Sequence, residues 1–437
     1  MSGPLEEFGH GVPKFGADAV AVTSPLAQVP LLKVERAVRT YYPALRQSVK
    51  CSLSVFGAMA IAGRTKPLSV IFEAPSGYGK TAVVQMFFPL PDGQLERLAY
   101  RSDKFTPKSF VSHAANVPKE KLSDLDMLPR VENKVLVTKD LAPIFRGRTE
   151  ELTDNFSILI SVLDGKGFTS DSGMRGRRGY PRPILFNWIG ATTPLPPETH
   201  RLMSQLGTRL LFYEVPAVAP SESELLAYAQ HEEAGPAEVA CQMAVNEFLL
   251  QFFGLHPVAS VPPESVVIPG HLLEELVRWA KFVAQGRREI RYEKSGSWEP
   301  IAALQPEGAH KLINYFKDLA RGHALIHNRK QVNQVDLELI AHVAISSIPG
   351  HLRPIVRELR LAEDVDTNCC MMRCCVSDTS ARRYMKELEL LGIAQLAHGS
   401  PKTNEPNRIT LAKSFQWLKS NPGNLSGVCG LEGEAKK

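Results

Sequence analysis

Residues 68–81 read Leu68-Ser69-Val70-Ile71-Phe72-Glu73-Ala74-Pro75-Ser76-Gly77-Tyr78-Gly79-Lys80-Thr81. A short apolar run passes into a loop of small residues, and Thr81 to Phe88 reads as the helix behind it. A loop that wraps phosphate needs small residues, because backbone N–H groups must approach the oxygens closely. Gly77 and Gly79 supply that space. Lys80 brings a positive charge to the outer phosphates. Thr81 offers a hydroxyl to Mg²⁺ and opens a helix whose positive dipole end faces the anion. The usual pattern starts with glycine, and here that position is Ala74; the strand–loop–helix context that the physics requires is intact. Ala74, Pro75, Ser76, Gly77, Tyr78, Gly79, Lys80 and Thr81 are therefore the expected contacts for ATP, with Mg²⁺ as its companion. The competing reading is a glycine-rich turn in some other enzyme.

Outward from this loop, short apolar runs recur at Val135-Leu136-Val137, Ile184 to Ile189 and Leu210 to Tyr213, separated by helical stretches. Short buried strands alternating with helices indicate an α/β fold with a mostly parallel sheet. Leu31 to Ala62 has helical spacing, with Val34, Ala37, Val38 and Tyr41 on one face. The expected divisions are a loose Gly- and Pro-rich arm over 1–30, an α/β ATPase core over 31–218, an all-helical lid over 219–350, a winged helix over 351–420 and a Gly-rich mobile tail over 421–437. A chain of 437 residues accommodates two or three such units.

The composition, 44% hydrophobic and 22% charged, is that of a globular protein with a sizeable core. No apolar run approaches the length of a bilayer span, and the N-terminus lacks the pattern of a signal peptide, so no membrane partner and a cytoplasmic location are expected. The net charge of +5 neither demands nor excludes nucleic acid. Seven cysteines, scattered or adjacent, do not form a disulfide framework. The pairs Cys369-Cys370 and Cys374-Cys375 would lie on one helix, which cannot converge four sulfurs on a zinc ion without distortion, so they read as small hydrophobes.

A more specific likeness surrounds the loop. Val49-Lys50-Cys51-Ser52-Leu53 leading to Phe56-Gly57 resembles the start of the motor domain of minichromosome-maintenance (MCM) helicases, members of the AAA+ class. Ser157 to Leu163, then Gly167-Phe168-Thr169-Ser170, a basic turn and the run Ile184 to Gly190, is similar to the pre-sensor hairpin that MCM proteins share with bacterial enhancer-binding ATPases. Ala191-Thr192-Thr193-Pro194 resembles the sensor 1 segment, Leu206-Gly207-Thr208-Arg209-Leu210 the Ser-Arg-Phe segment, and Leu319 to Ala324 with Val332 and Asp336 the lid helices. The likeness spans roughly residues 40–350 and rests on the order of these motifs.

The resemblance implies an AAA+ parallel sheet with helices on both faces and a homo-oligomeric ring, a hexamer, with the nucleotide between subunits. It gives Thr193 or Thr192 the attacking water or γ-phosphate, and Arg209 a finger role toward the neighbouring subunit, where a cation stabilises charge on the transferred phosphoryl group. Lys311 falls at the sensor 2 position, with Arg321 as the runner-up; lysine lacks the bidentate contact of arginine. Where the family has Asp-Glu, the chain has Thr138-Lys139-Asp140, so Asp140 is expected to serve both the metal and the water. The alternative is that Asp140 only caps the next helix.

Met174 to Tyr180 carries Arg175, Arg177 and Arg178 between glycines, and falls at the expected tip of the hairpin, where the resemblance implies DNA backbone contact. Its bland reading is a solvated basic turn. In the C-terminal segment, Val376 to Leu388 has capping Ser and Asp before an amphipathic helix carrying Arg382, Arg383 and Lys386, with a wing over 399–407; these side chains would meet a DNA major groove, or the module would serve protein contacts. The expectation is an ATP-driven DNA translocase or helicase. The alternative is an ATP-switched initiator or helicase loader with replication-protein partners. An enhancer-binding activator would need a Gly-Ala-Phe-like loop, and the sequence has none.

Overall fold

The computed structural model describes residues 31–419 except 92, 114–116, 174–175, 208, 218–221, 223–225, 227–233, 294–298 and 401–404. The expected 1–30 arm and 421–437 tail, and Arg175, lie outside the described residues.

Five strands form a parallel sheet: β1 (Ser69–Glu73), β2 (Ala99–Ser102), β3 (Val135–Thr138), β6 (Asn187–Thr192) and β7 (Leu210–Glu214), in the order β2-β3-β6-β1-β7. β1, β3 and β6 are buried along their whole length, which explains why they read as continuous apolar runs rather than alternating ones. Val70, Phe72, Val137, Ile189, Leu211 and Tyr213 join the core on one face of the sheet; Ile71, Leu136, Trp188 and Phe212 join the core on the other. β2 had not been expected: Ala99-Tyr100-Arg101-Ser102 is short and polar because it closes one edge of the sheet.

The stretch expected to be one helix from Leu31 to Ala62 is two, Leu31–Tyr41 and Arg46–Ala58, with a short turn at Pro43–Leu45 between them. Pro43 lacks the N–H that would continue the first helix. The second helix crosses His310–Ile326 at Gly57 and Gly322. A Cβ on Gly322 would lie 2.2 Å from the Ser54 carbonyl oxygen, so only glycine permits this approach.

The region after β7 is mainly helical, through Ala234–Leu255, Gly270–Gly286, His310–Ile326 and Gln334–Ser346, and it shares one continuous core with the helices before β1. It is not all helix as expected: β8 (Ile290–Tyr292) and β9 (Pro300–Ala303) form an antiparallel hairpin within it. Beyond it, helices Arg353–Leu361, Thr367–Cys374 and Asp378–Leu390 pack with a three-stranded antiparallel sheet of β10 (Val365–Asp366), β12 (Arg408–Leu411) and β11 (Ala394–Ala397). Among the described residues, no helix is long and apolar enough to cross a membrane.

Candidate nucleotide site

Open parallel sheets bind ligands outside the carboxyl ends of their strands. Glu73, Thr138 and Thr192 end β1, β3 and β6, so the loops that follow them share one edge. The 74–81 loop leaves β1 there and enters the helix Lys80–Gln85. Gly77 and Gly79 have φ of 91° and 77°, the left-handed region that glycine adopts without strain. Pro75, Ser76 and Gly77 are exposed, while Lys80 is only 9% exposed. The Lys80 ammonium donates to the Pro75 carbonyl oxygen at 3.2 Å and has no carboxylate within ion-pair distance among the described residues. Burial lowers its pKa, and the charge of Asp140 acts against that. A buried cation at the base of an exposed loop, satisfied only by a carbonyl, fits an anion.

Thr81 is half-buried beside Lys80. Asp140 is exposed, and its Oδ1 accepts a hydrogen bond from Ala142 N at 2.9 Å, the capping contact foreseen as its alternative role. Of the two candidate threonines, Thr192 is buried and its hydroxyl donates to the Thr193 carbonyl at 3.1 Å. Thr193 is half-buried, and its Oγ1 accepts from Arg146 Nη2 at 2.9 Å. Arg146 was not foreseen; it sits in a loop with no motif of its own. Glu73 was missed for the opposite reason, being hidden in an apolar run. It is 3% exposed, accepts from Leu195 N at 2.9 Å through Oε1, and pairs with Arg353 at 2.7 Å through Oε2. One buried carboxylate thus joins the base of the phosphate loop, the turn after Thr193 and the first helix of the C-terminal module.

Arg209 and Lys311, whose expected roles are separate, lie together at the other end of the sheet from the 74–81 loop. Both contact Asp164 Oδ1, at 3.0 and 3.4 Å, and Lys66 reaches the same oxygen at 3.2 Å. Burial would raise the Asp164 pKa, but Arg209 and Lys311 outweigh it and hold the carboxyl at about 2. Arg209 is buried. Arg321 does not join this cluster; it lies further along the same helix and donates to the Val266 carbonyl at 3.2 Å.

β4 (Phe168–Ser172) and β5 (Gly176–Tyr180) form the expected hairpin, but the basic run occupies its returning strand rather than only its tip. Arg177 is exposed. Arg178 departs from its expected DNA role: its guanidinium is buried against Asp126 at 2.7 Å, and Tyr180 Oη donates to the same carboxylate at 2.9 Å. On the Asp378–Leu390 helix each basic residue faces an acid of its own helix: Arg382 pairs with Asp378 at 2.7 Å, Arg383 lies 3.9 Å from Glu387, and Lys386 pairs with Glu389 at 2.5 Å. No group of metal ligands occurs at the cysteine pairs or elsewhere among the described residues.

Among solved structures, this chain is similar to a full-length MCM homolog from Methanopyrus kandleri, with 12% identity and a TM-score of 0.36 over 73% of this chain and 59% of that one. The chain therefore spans less than two thirds of that protein, and the likeness is a weak one of fold. No family model and no curated protein matches the chain.

Proposed function

We propose that the chain binds and hydrolyses ATP at the 74–81 loop and uses the nucleotide to act on DNA as a ring of copies. The observation that carries this reading is Lys80, a cation nine-tenths buried beneath an exposed glycine loop and lacking a carboxylate partner. Lys80 and the loop amides would hold the outer phosphates. Thr81 and Asp140 would hold Mg²⁺, which when bound offsets phosphate charge. Thr193, its hydroxyl fixed by Arg146, would orient the attacking water. Arg209 and Lys311 would serve the nucleotide of a neighbouring copy, since they lie at the far end of the sheet from their own loop. Arg177 on the exposed hairpin would touch the DNA backbone, with Arg382, Arg383 and Lys386 as lesser contacts because acids already face them.

A second reading, a nucleotide switch with little turnover, is favoured by the engagement of Asp140 as a cap. Strand displacement and ATP turnover, compared between the wild type, Lys80→Ala and Arg177→Ala, separate the two. Unwinding lost in both variants supports the motor. ATP-dependent DNA retention without unwinding supports the switch. Neither ATP turnover nor ATP-dependent DNA retention in the wild type would sink both.

A further inference from the structure

Glu73 and Glu214 end neighbouring parallel strands and stand level with each other. Like charges set side by side on a sheet repel, so these two carboxylates need cations. Both cations come from the first helix of the C-terminal module, Arg353–Leu361, on which Arg353 and Arg357 lie one turn apart. Arg353 Nη1 reaches Glu73 Oε2 at 2.7 Å and Glu214 Oε2 at 3.6 Å, and Arg357 Nη2 reaches Glu214 Oε2 at 2.5 Å. Arg353 Nε donates to the Ile348 carbonyl oxygen at 3.0 Å, which fixes the guanidinium at the strand ends.

With Oε2 so occupied, Glu73 presents its other oxygen to the Leu195 amide, which donates to it at 2.9 Å. Between Thr193 and Glu198 that amide is the one main-chain donor, because residues 194, 196 and 197 are proline. The turn that carries Thr193 away from β6 therefore offers a single N–H by which it can be held, and Glu73 takes it. The backbone around Glu73 is itself fixed: the Val215 amide donates to the Glu73 carbonyl oxygen at 2.9 Å, and the Ala74 amide donates to the Thr192 carbonyl oxygen at 3.2 Å. Glu73 also directly precedes the 74–81 loop. We propose that Glu73 is a positioning residue for ATP hydrolysis: through the Leu195 amide it fixes Thr193 relative to the 74–81 loop, and Arg353 locks it in that role, so turnover requires the C-terminal module docked at the strand ends. This rests on the reading of the loop as a site of ATP hydrolysis.

The test replaces the buried pair by apolar residues in the full chain. Exchanging both members of such a pair for apolar side chains is commonly tolerated, whereas losing one member is not. Glu73→Leu combined with Arg353→Leu should therefore unfold cooperatively and bind ATP, by calorimetry, as tightly as the wild type. Its Leu195 amide has lost its acceptor, so kcat for ATP should fall about a hundredfold, the scale of a small misplacement of the reacting groups. A pair that serves architecture alone predicts wild-type turnover once the fold is restored. That result, or ATP binding that weakens in step with kcat, would overturn the inference. Should the double variant not fold, Arg353→Lys and Arg353→Gln decide instead. Lysine keeps a cation at Glu73 and should hold kcat within about threefold of the wild type, while glutamine should lower it at least about tenfold at unchanged ATP affinity. Equal kcat in the two would overturn the inference. No ATP turnover by the wild type would remove the hydrolysis reading itself, and this inference with it; wild-type turnover that the variants leave untouched overturns the inference alone.

Discussion

At the carboxyl end of β1, Lys80 lies buried with a carbonyl for a partner, whereas at the amino end of β7, Arg209 lies equally buried against a carboxylate that two lysines also share. The first arrangement leaves a charge in want of an anion. The second supplies one from within the chain. A few residues from Lys80, the first edge nevertheless holds the most enclosed ion pair of the sheet, Glu73 with Arg353, each side chain 4% exposed. Charge is thus spent on architecture at one point of that edge and withheld from it at the next, while the opposite edge does both with the same groups.

The comparison breaks most sharply if the two sets of ion pairs turn out to be equally strong. Arg353→Leu leaves Glu73 buried without its partner and should cost about 3–5 kcal/mol of unfolding free energy in urea. Lys66→Ala, at the partly exposed opposite edge, should cost about 1 kcal/mol or less. Equal losses would mean that exposure does not distinguish the two edges.

Acid should loosen the carboxyl edge first. The His342 Nε2–H donates to the Glu214 carbonyl oxygen at 2.9 Å, and burial, aided by Arg357, lowers its pKa to about 4. A histidine held neutral in the fold contributes stability that is complete above its unfolded pKa and is lost as pH falls from about 6.5 toward 4, on the order of 3 kcal/mol. Glu214, where Arg357 and Arg353 outweigh burial, and Asp164 both titrate at about 2. Their contribution holds above the ordinary carboxylate range and is lost only below it. Burial also holds His200 well below its ordinary value and His327 at about 4, so urea midpoints measured against pH should fall in two stages, and His342→Asn should reduce the first without abolishing it. A first stage of the same size in His342→Asn as in the wild type would contradict the pairing of His342 with this edge.

The smallest effect separates neighbours on the hairpin. Arg177→Ala should weaken DNA binding severalfold and reduce the salt slope by about one unit with no change in melting temperature. Arg178→Ala should lower the melting temperature, because it strips the buried Asp126 of its cation. The reverse pattern would exchange their roles.

The loop, the buried strands and the hairpin could be read in the sequence because each shapes its own local pattern: glycines where φ must be positive, unbroken apolar runs where both faces of a strand are covered. β2 could not, since an edge strand such as Ala99-Tyr100-Arg101-Ser102 needs no apolar run. Glu73, Asp164, Asp126 and Arg146 escaped notice because their meaning lies in partners more than forty positions away in the chain. Arg178 and Arg177 are identical letters in sequence, and only the position of Asp126 separates a structural arginine from an exposed one.

The proposed function stands or falls with triphosphate binding at Lys80. Calorimetric titration of the full chain with ATP and magnesium tests it directly: the wild type should release heat with saturable one-site binding, and Lys80→Ala, folded to the same melting temperature, should bind at least about a hundredfold more weakly. No heat from the folded wild type, or equal affinity in the variant, would contradict it.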